Sequence, residues 1–171
     1  MEYDKEILED INKAIGSNRP LTYLKTNMSR YSKIGQFSIS ISNRKIATKL
    51  YELGMRSKNN IPAQIPSHLR HHFIRGVFDG DGCISISRKR KSGEVHFMGE
   101  YSLLKEIMEE LSLHSIDILS EPKFIRNIYR IRKSGNNNIR KIYNYLYNDA
   151  TIYLKRKYDK FAVLTQKSQK S

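Results

Sequence analysis

Three features of the sequence predict an α+β fold with antiparallel strands. Segments of helical hydrophobic period are interspersed with short segments of strict period two. A helix-compatible run from Leu69 breaks at Asp79-Gly80-Asp81-Gly82 and is followed at once by the strand-like Cys83-Ile84-Ser85-Ile86-Ser87. A pattern of apolar and basic residues recurs at an offset of 96, the step from Ile7 to Leu103.

In chain order, residues 4–15 place Ile7, Leu8, Ile11, Ala14 and Ile15 at helical spacing, with Asp4 as the expected cap and Gly16 as the stop. Residues 21–29 are expected as a strand and 30–35 as a basic hairpin turn. Residues 36–42 alternate through Phe37, Ile39 and Ile41, leaving Gln36, Ser38 and Ser40 on a face that can meet water or DNA. Asn43 is expected to cap a helix over 44–53 with Ile46, Ala47, Leu50 and Tyr51 inward. Residues 55–67, with Pro62 and Pro66, connect to the central helix. Beyond it, 83–87 is expected to pair with 94–98 across a turn carrying Arg88, Lys89, Arg90 and Lys91. Residues 101–111 form an amphipathic helix through Leu103, Leu104, Ile107, Met108 and Leu111. Strands are expected near 116–119 with Phe124, and over 127–132. Asn136 to Asn138 are expected to cap a helix over 139–147, followed by a cationic, aromatic stretch at 153–161 and a frayed, disordered tail over 166–171.

The central run holds two anomalies. Gly76 lies inside a helix, where it costs roughly 1 kcal/mol against alanine, and close approach of another backbone is the usual reason. Asp79 and Asp81 sit at a helix C-terminus, the negative end of the macrodipole. A cation offsets such a placement, most simply a hard divalent metal on oxygen ligands.

The stretch Ile74-Arg75-Gly76-Val77-Phe78-Asp79-Gly80-Asp81-Gly82 resembles the motif of the LAGLIDADG homing endonucleases. Gly76, Asp79, Asp81 and Gly82 match, and the first, fourth and fifth places are apolar. The resemblance implies a unit of motif helix, two strands, helix, two strands, helix (αββαββα), which 69–165 would fill completely. It implies that two motif helices pack side by side through Gly76, Asp79 and Gly82. It implies that Asp81 ligates a divalent metal, Mg²⁺, with the Gly80 carbonyl beside it and Asp79 more structural. Family lysines that stabilise phosphate charge lie just after the last helix of each unit, which implicates Lys58 and, from Lys155 and Lys157, favours Lys157; the strict repeat offset lands on Leu154.

The repeat extends the comparison. Ile7-Leu8 and Ile11 fall on Leu103-Leu104 and Ile107, and Arg44-Lys45-Ile46 falls on Arg140-Lys141-Ile142. Residues 1–68 therefore read as a partial copy (helix, two strands, helix, connector) without its own motif helix. One motif per chain predicts either a homodimer through the motif helix or a truncated relative of a two-motif enzyme.

Composition narrows the function. Lys and Arg number 31 against 17 acids, a formal charge of +14, which favours a polyanion, nucleic acid first. No apolar run approaches the roughly 20 residues of a membrane span. The single Cys83 excludes an internal disulfide. The polar start, Met1-Glu2-Tyr3-Asp4, predicts no signal peptide and a cytoplasmic, organellar or phage-encoded protein. His71 and His72 read as helix-start residues, since no zinc spacing surrounds them. The expected partner is double-stranded DNA, with no small-molecule cofactor. Base or phosphate contacts are expected from Gln36, Ser38 and Ser40 on one hairpin and from Ser85, Ser87, Arg88, Lys89, Arg90, Lys91 and His96 on the other. Three functions fit: a metal-dependent homing-type DNA endonuclease, a cleavage-deficient DNA- or RNA-binding derivative of the maturase or regulator kind, and a basic structural protein.

Overall fold

Period two in residues 83–98 sorts side chains onto two faces. Ile84, Val95 and Phe97 are buried, while Cys83, Ser85, Glu94 and His96 lie on the opposite face. The computed structural model describes residues 4–24, 35–54, 65–87 and 92–165. In it β3 (Cys83–Ser87), β4 (Ser92–Gly99), β5 (Lys123–Ile125) and β6 (Ile128–Ser134) form an antiparallel sheet in the order β3-β4-β6-β5. Register sets Cys83 opposite His96, His96 opposite Arg132, and Met98 opposite Arg130.

Four helices cover the apolar face: α3 (Arg70–Asp81), α4 (Tyr101–Leu113), α5 (Asn136–Tyr147) and α6 (Lys155–Thr165). Their inward residues, among them Ile74, Phe78, Leu104, Ile107, Ile142, Leu146 and Phe161, join Val95, Phe97 and Ile131 in one core. Phe78 centres an aromatic cluster, with ring centroids 5.3 Å from Phe97 and 5.6 Å from Phe161.

The N-terminal part runs α1 (Lys5–Ala14), β1 (Thr22–Leu24), β2 (Gln36–Ser38), α2 (Arg44–Glu52), with β1 and β2 in a separate antiparallel pair. This element order matches α4-β5-β6-α5. Neither α1 nor α2 buries a residue, so among the described residues the hydrophobic core belongs to 74–164.

Several local expectations are corrected. Asp4 makes no capping bond to α1; its carboxylate instead accepts from Arg156 Nε and Nη2 at 2.9 and 3.3 Å, which ties α1 to α6. Asn43 does cap α2, accepting from the backbone N–H of Lys45 and Ile46, but Ala47, Leu50 and Tyr51 are exposed and Ile46 is half-buried. β1 and β2 are shorter than the alternation suggested. The expected strand near 116–119 is absent: Ile116 and Ile118 are buried in the core without strand pairing, and β5 forms later. Asn136 to Asn138 lie inside α5 and do not cap it. The cap position is Gly135 at φ 94°, a conformation that favours glycine, and Asn138 Nδ2 reaches back to the Ser134 carbonyl. The 166–171 tail lies outside the described residues. No helix among the described residues is long and apolar enough to cross a membrane.

Candidate active site

The motif helix runs through the first three residues of Asp79-Gly80-Asp81-Gly82 and stops at Gly82, not at Asp79. A Cβ at Gly82 would overlap the Phe78 ring and carbonyl, so only glycine fits the stop. A helix ending there leaves carbonyls without partners. Lys157 supplies them: its Nζ, from the first turn of α6, donates to the carbonyls of Phe78, Asp79 and Gly82 at 2.6, 2.8 and 2.6 Å. The ammonium also lies 5.1 Å from the Phe78 ring centroid. The cation that the helix C-terminus called for is therefore a lysine of this chain. Burial pushes the Lys157 amine below its ordinary value, and the fields of Asp79 and Asp81 work against that fall.

The two acids of the motif divide sharply. Asp79 is buried; Oδ1 accepts from the Tyr147 hydroxyl at 2.8 Å and Oδ2 from the Leu154 N–H at 3.0 Å. Burial raises its pKa, while those two hydrogen bonds and the charge of Lys157 restrain the rise. Asp81 is exposed and makes no hydrogen bond or ion pair with another described residue. Lys157 leaves the Gly80 carbonyl uncapped. Asp81 and Gly80 thus present one carboxylate and one carbonyl, the hard oxygen donors a divalent cation takes, in a set that needs further oxygens to close.

Gly76 and Gly80 are exposed, and nothing lies within 4 Å of a Cβ built on either. The close approach expected at Gly76 does not occur among the described residues. Leu69, Gly76 and Gly80 are exposed along one side of α3 and the turn before it, while Phe73 between them is half-buried against the core.

Register assembles a polar surface on the sheet face away from the helices. Ser85, Glu94 and His96 share it with Arg130, Arg132 and Lys123. These last three cations are not legible as a group in the sequence. Only the pairing of β4 with β6 and of β6 with β5 reveals that they face the same way as β3. His96 is a poor contact: its ring is mostly buried, Nε2 lies 2.9 Å from Glu94 Oε1, and Nδ1 has no partner. Burial holds its pKa below the ordinary value, against the charge of Glu94.

The other expected residues separate. Gln36 and Ser38 lie on β2 and Ser40 just beyond it, on the small pair and not on the main sheet. Ser85 is exposed and Ser87 half-buried. Lys58 and the turn Arg88, Lys89, Arg90 and Lys91 lie outside the described residues. Lys157, expected beside the phosphate, is 4% exposed and its three donors are spent on carbonyls.

A second cluster lies at the opposite end of α3. His71 Nε2 is 3.0 Å and His72 Nε2 3.9 Å from Asp149 Oδ2, close enough to suggest a metal. The tautomer argues against it. Arg75 Nη1 lies 2.8 Å from His72 Nδ1 and can only donate, so Nδ1 accepts and Nε2 carries the proton. Arg75 also binds the Ile152 and Leu146 carbonyls, which holds it in place. The cluster is a clamp between α3 and the α5–α6 turn.

No protein-family model matches the chain, and no curated protein does. Its structural neighbours are homing endonucleases of the LAGLIDADG family. One is I-CvuI in complex with the I-CreI target in magnesium, with the DNA not cleaved: TM-score 0.45, 16% identity, 61% of this chain and 68% of that one. The same endonuclease with its Sro1.3 target in calcium gives TM-score 0.44 and 16% identity over 58% of this chain and 66% of that one. I-TnaI gives 0.41 and 15% over 58% and 74%. These likenesses assign no role to any residue of this chain.

Proposed function

We propose that this protein is a LAGLIDADG-type DNA endonuclease that hydrolyses phosphodiester bonds with a divalent metal, Mg²⁺, and that two chains pair through α3 to make one site. The observation that carries this reading is the contrast between the two motif acids, Asp79 consumed by the fold and Asp81 exposed at the helix end without a hydrogen-bond partner among the described residues. Beside Asp81 lies the uncapped Gly80 carbonyl, and along the same helix an uncovered glycine face.

Asp81 and Gly80 would hold the metal, which supplies an activated water and charge stabilisation at the leaving oxygen when bound. The remaining roles fall to the chain itself. Asp81 presents a carboxylate with no competing partner among the described residues. Lys157 and Asp79 hold the backbone that carries it. Arg130, Arg132 and Lys123 position the duplex through phosphates or base edges. Gly76 and Gly80 let a second α3 approach, which would bring two copies of Asp81 to one DNA site, one for each strand.

The test is plasmid cleavage with candidate target sites, read together with sedimentation. Asp81→Asn should abolish Mg²⁺-dependent nicking and linearisation while leaving DNA binding intact. Cleavage retained in that variant refutes the assignment. A second reading, DNA binding without cleavage, is favoured by the presence of one motif, and so one exposed motif acid, per chain. It predicts binding by wild type and Asp81→Asn alike, with no cleavage by either at any protein concentration.

A further inference from the structure

A groove of about 790 Å³ opens where the end of α2, the start of α3 and the outer side of α4 meet. Leu53, Phe73, Leu103 and Leu113 give it apolar walls, and Glu106 and Glu109 stand among them. Leu113 is 77% exposed at its rim. The groove is acidic in a strongly basic protein. It is lined by three glutamates and one arginine, while the whole chain carries +14. Arg70 is already taken, pairing with Glu110 at 2.9 Å, and Tyr145 donates to the same glutamate at 3.3 Å. Glu106 and Glu109 make no hydrogen bond or ion pair with another described residue. Burial raises the pKa of Glu106, the charge of Arg70 restrains the rise and that of Glu109 adds to it.

We infer that this groove is a docking site for a cationic amphipathic helix of a protein partner, with leucine-like side chains on the apolar walls and lysines or arginines against Glu106 and Glu109. Charge selects the occupant. Duplex DNA and anionic lipid are both repelled by the two carboxylates. The groove also lies on the side of the sheet away from Arg130 and Arg132, because α4 packs on the buried face through Leu104, Ile107 and Leu111. Among the described residues it therefore stays open while the cationic sheet face is engaged. A helix laid in an apolar groove buries its stripe at spacing i, i+3, i+4 and i+7, and its flanking cations reach the rim.

The probe is a fluorescein-labelled helical peptide with a leucine stripe flanked by lysines, titrated with the full chain and read by anisotropy. Controls are the same stripe flanked by glutamates and a lysine peptide with serines in place of the leucines. The lysine–leucine peptide should bind and both controls should not. Glu106→Gln with Glu109→Gln should weaken binding about fivefold, the combined worth of two exposed charge pairs. Leu113→Ser, a change at an exposed position, should weaken it by a similar factor. Neither variant should change duplex DNA affinity or thermal stability. Equal binding of the glutamate peptide, or of the lysine–serine peptide, overturns the inference, as does an unaltered affinity in both variants. Sedimentation decides the remaining occupant. Dimerisation abolished by Leu113→Ser assigns the groove to a second copy of this chain and also overturns it.

Discussion

The Tyr147 hydroxyl donates to Asp79 Oδ1 at 2.8 Å, joining the last turn of α5 to the last turn of the motif helix inside the core. The Leu154 N–H takes the other carboxylate oxygen. A buried carboxylate is tolerated here because both oxygens are satisfied. Removing one donor returns the desolvation cost. Tyr147→Phe should destabilise the protein by about 1–3 kcal/mol, measured as the shift in urea midpoint. A change within error would mean that Asp79 is satisfied another way.

Asp79 also makes stability depend on pH with a definite sign. Its folded pKa is raised above 3.8 by burial, so the folded state binds the proton before the unfolded state does. Its contribution therefore grows as pH falls through the folded pKa toward 3.8, and is lost as pH rises back through that value. Asp149, lowered by its bond to His71, acts in the opposite direction. Urea midpoints taken across this range should favour wild type over Asp79→Asn progressively as the solution is acidified. A difference that is flat in pH would show that Asp79 does not titrate differently in the two states.

Lys157 should be needed for both stability and position. Lys157→Met keeps the length and apolar stem but takes the side-chain donor from the Asp79 and Gly82 carbonyls, while the Phe78 carbonyl keeps the Gly82 N–H, at a cost of about 2–4 kcal/mol. If the chain cleaves DNA, this variant should lose cleavage even under conditions where it remains folded, because Asp81 sits within the stretch whose carbonyls Lys157 holds. Full cleavage by a folded Lys157→Met protein would remove Lys157 from the positioning role.

Gly76 separates assembly from folding. Among the described residues a side chain there meets open space, so Gly76→Ala should raise the stability of the monomer by about 1 kcal/mol through helix propensity. Gly76→Leu should stay folded but prevent pairing of two motif helices. Circular dichroism and sedimentation velocity together test this. Loss of fold in Gly76→Leu would mean that the face is covered within the chain.

Arg130, Arg132 and Lys123 should carry a measurable share of duplex binding. Changing all three to glutamine should flatten the slope of log affinity against log salt by about 2–3, since each phosphate that is no longer neutralised removes roughly 0.9. Titrations of a duplex between low and physiological salt give the slope directly. If it stays where it was, the sheet face does not meet the backbone.

The sequence alone determined the features that depend on neighbours along the chain. Period two in 83–87 and 94–98, and helical period in 101–111, became β3, β4 and α4, since each pattern reports which face of a local element is buried. The Asp-Gly-Asp-Gly run was legible as a helix end, although the helix continues through Asp81. Tertiary structure decided everything that joins distant residues. Lys157 meets Phe78 and Gly82 across separations of 79 and 75 residues, and no periodicity encodes that meeting. The same is true of Tyr147 and Leu154 on Asp79, which made one motif acid structural and left the other exposed. Arg130 and Arg132 looked like ordinary strand charges until the β4–β6 register set them beside β3. A hydrophobic pattern states that a face is buried; which elements bury it, and which buried polar groups must then find one another, follows only from how the layers pack.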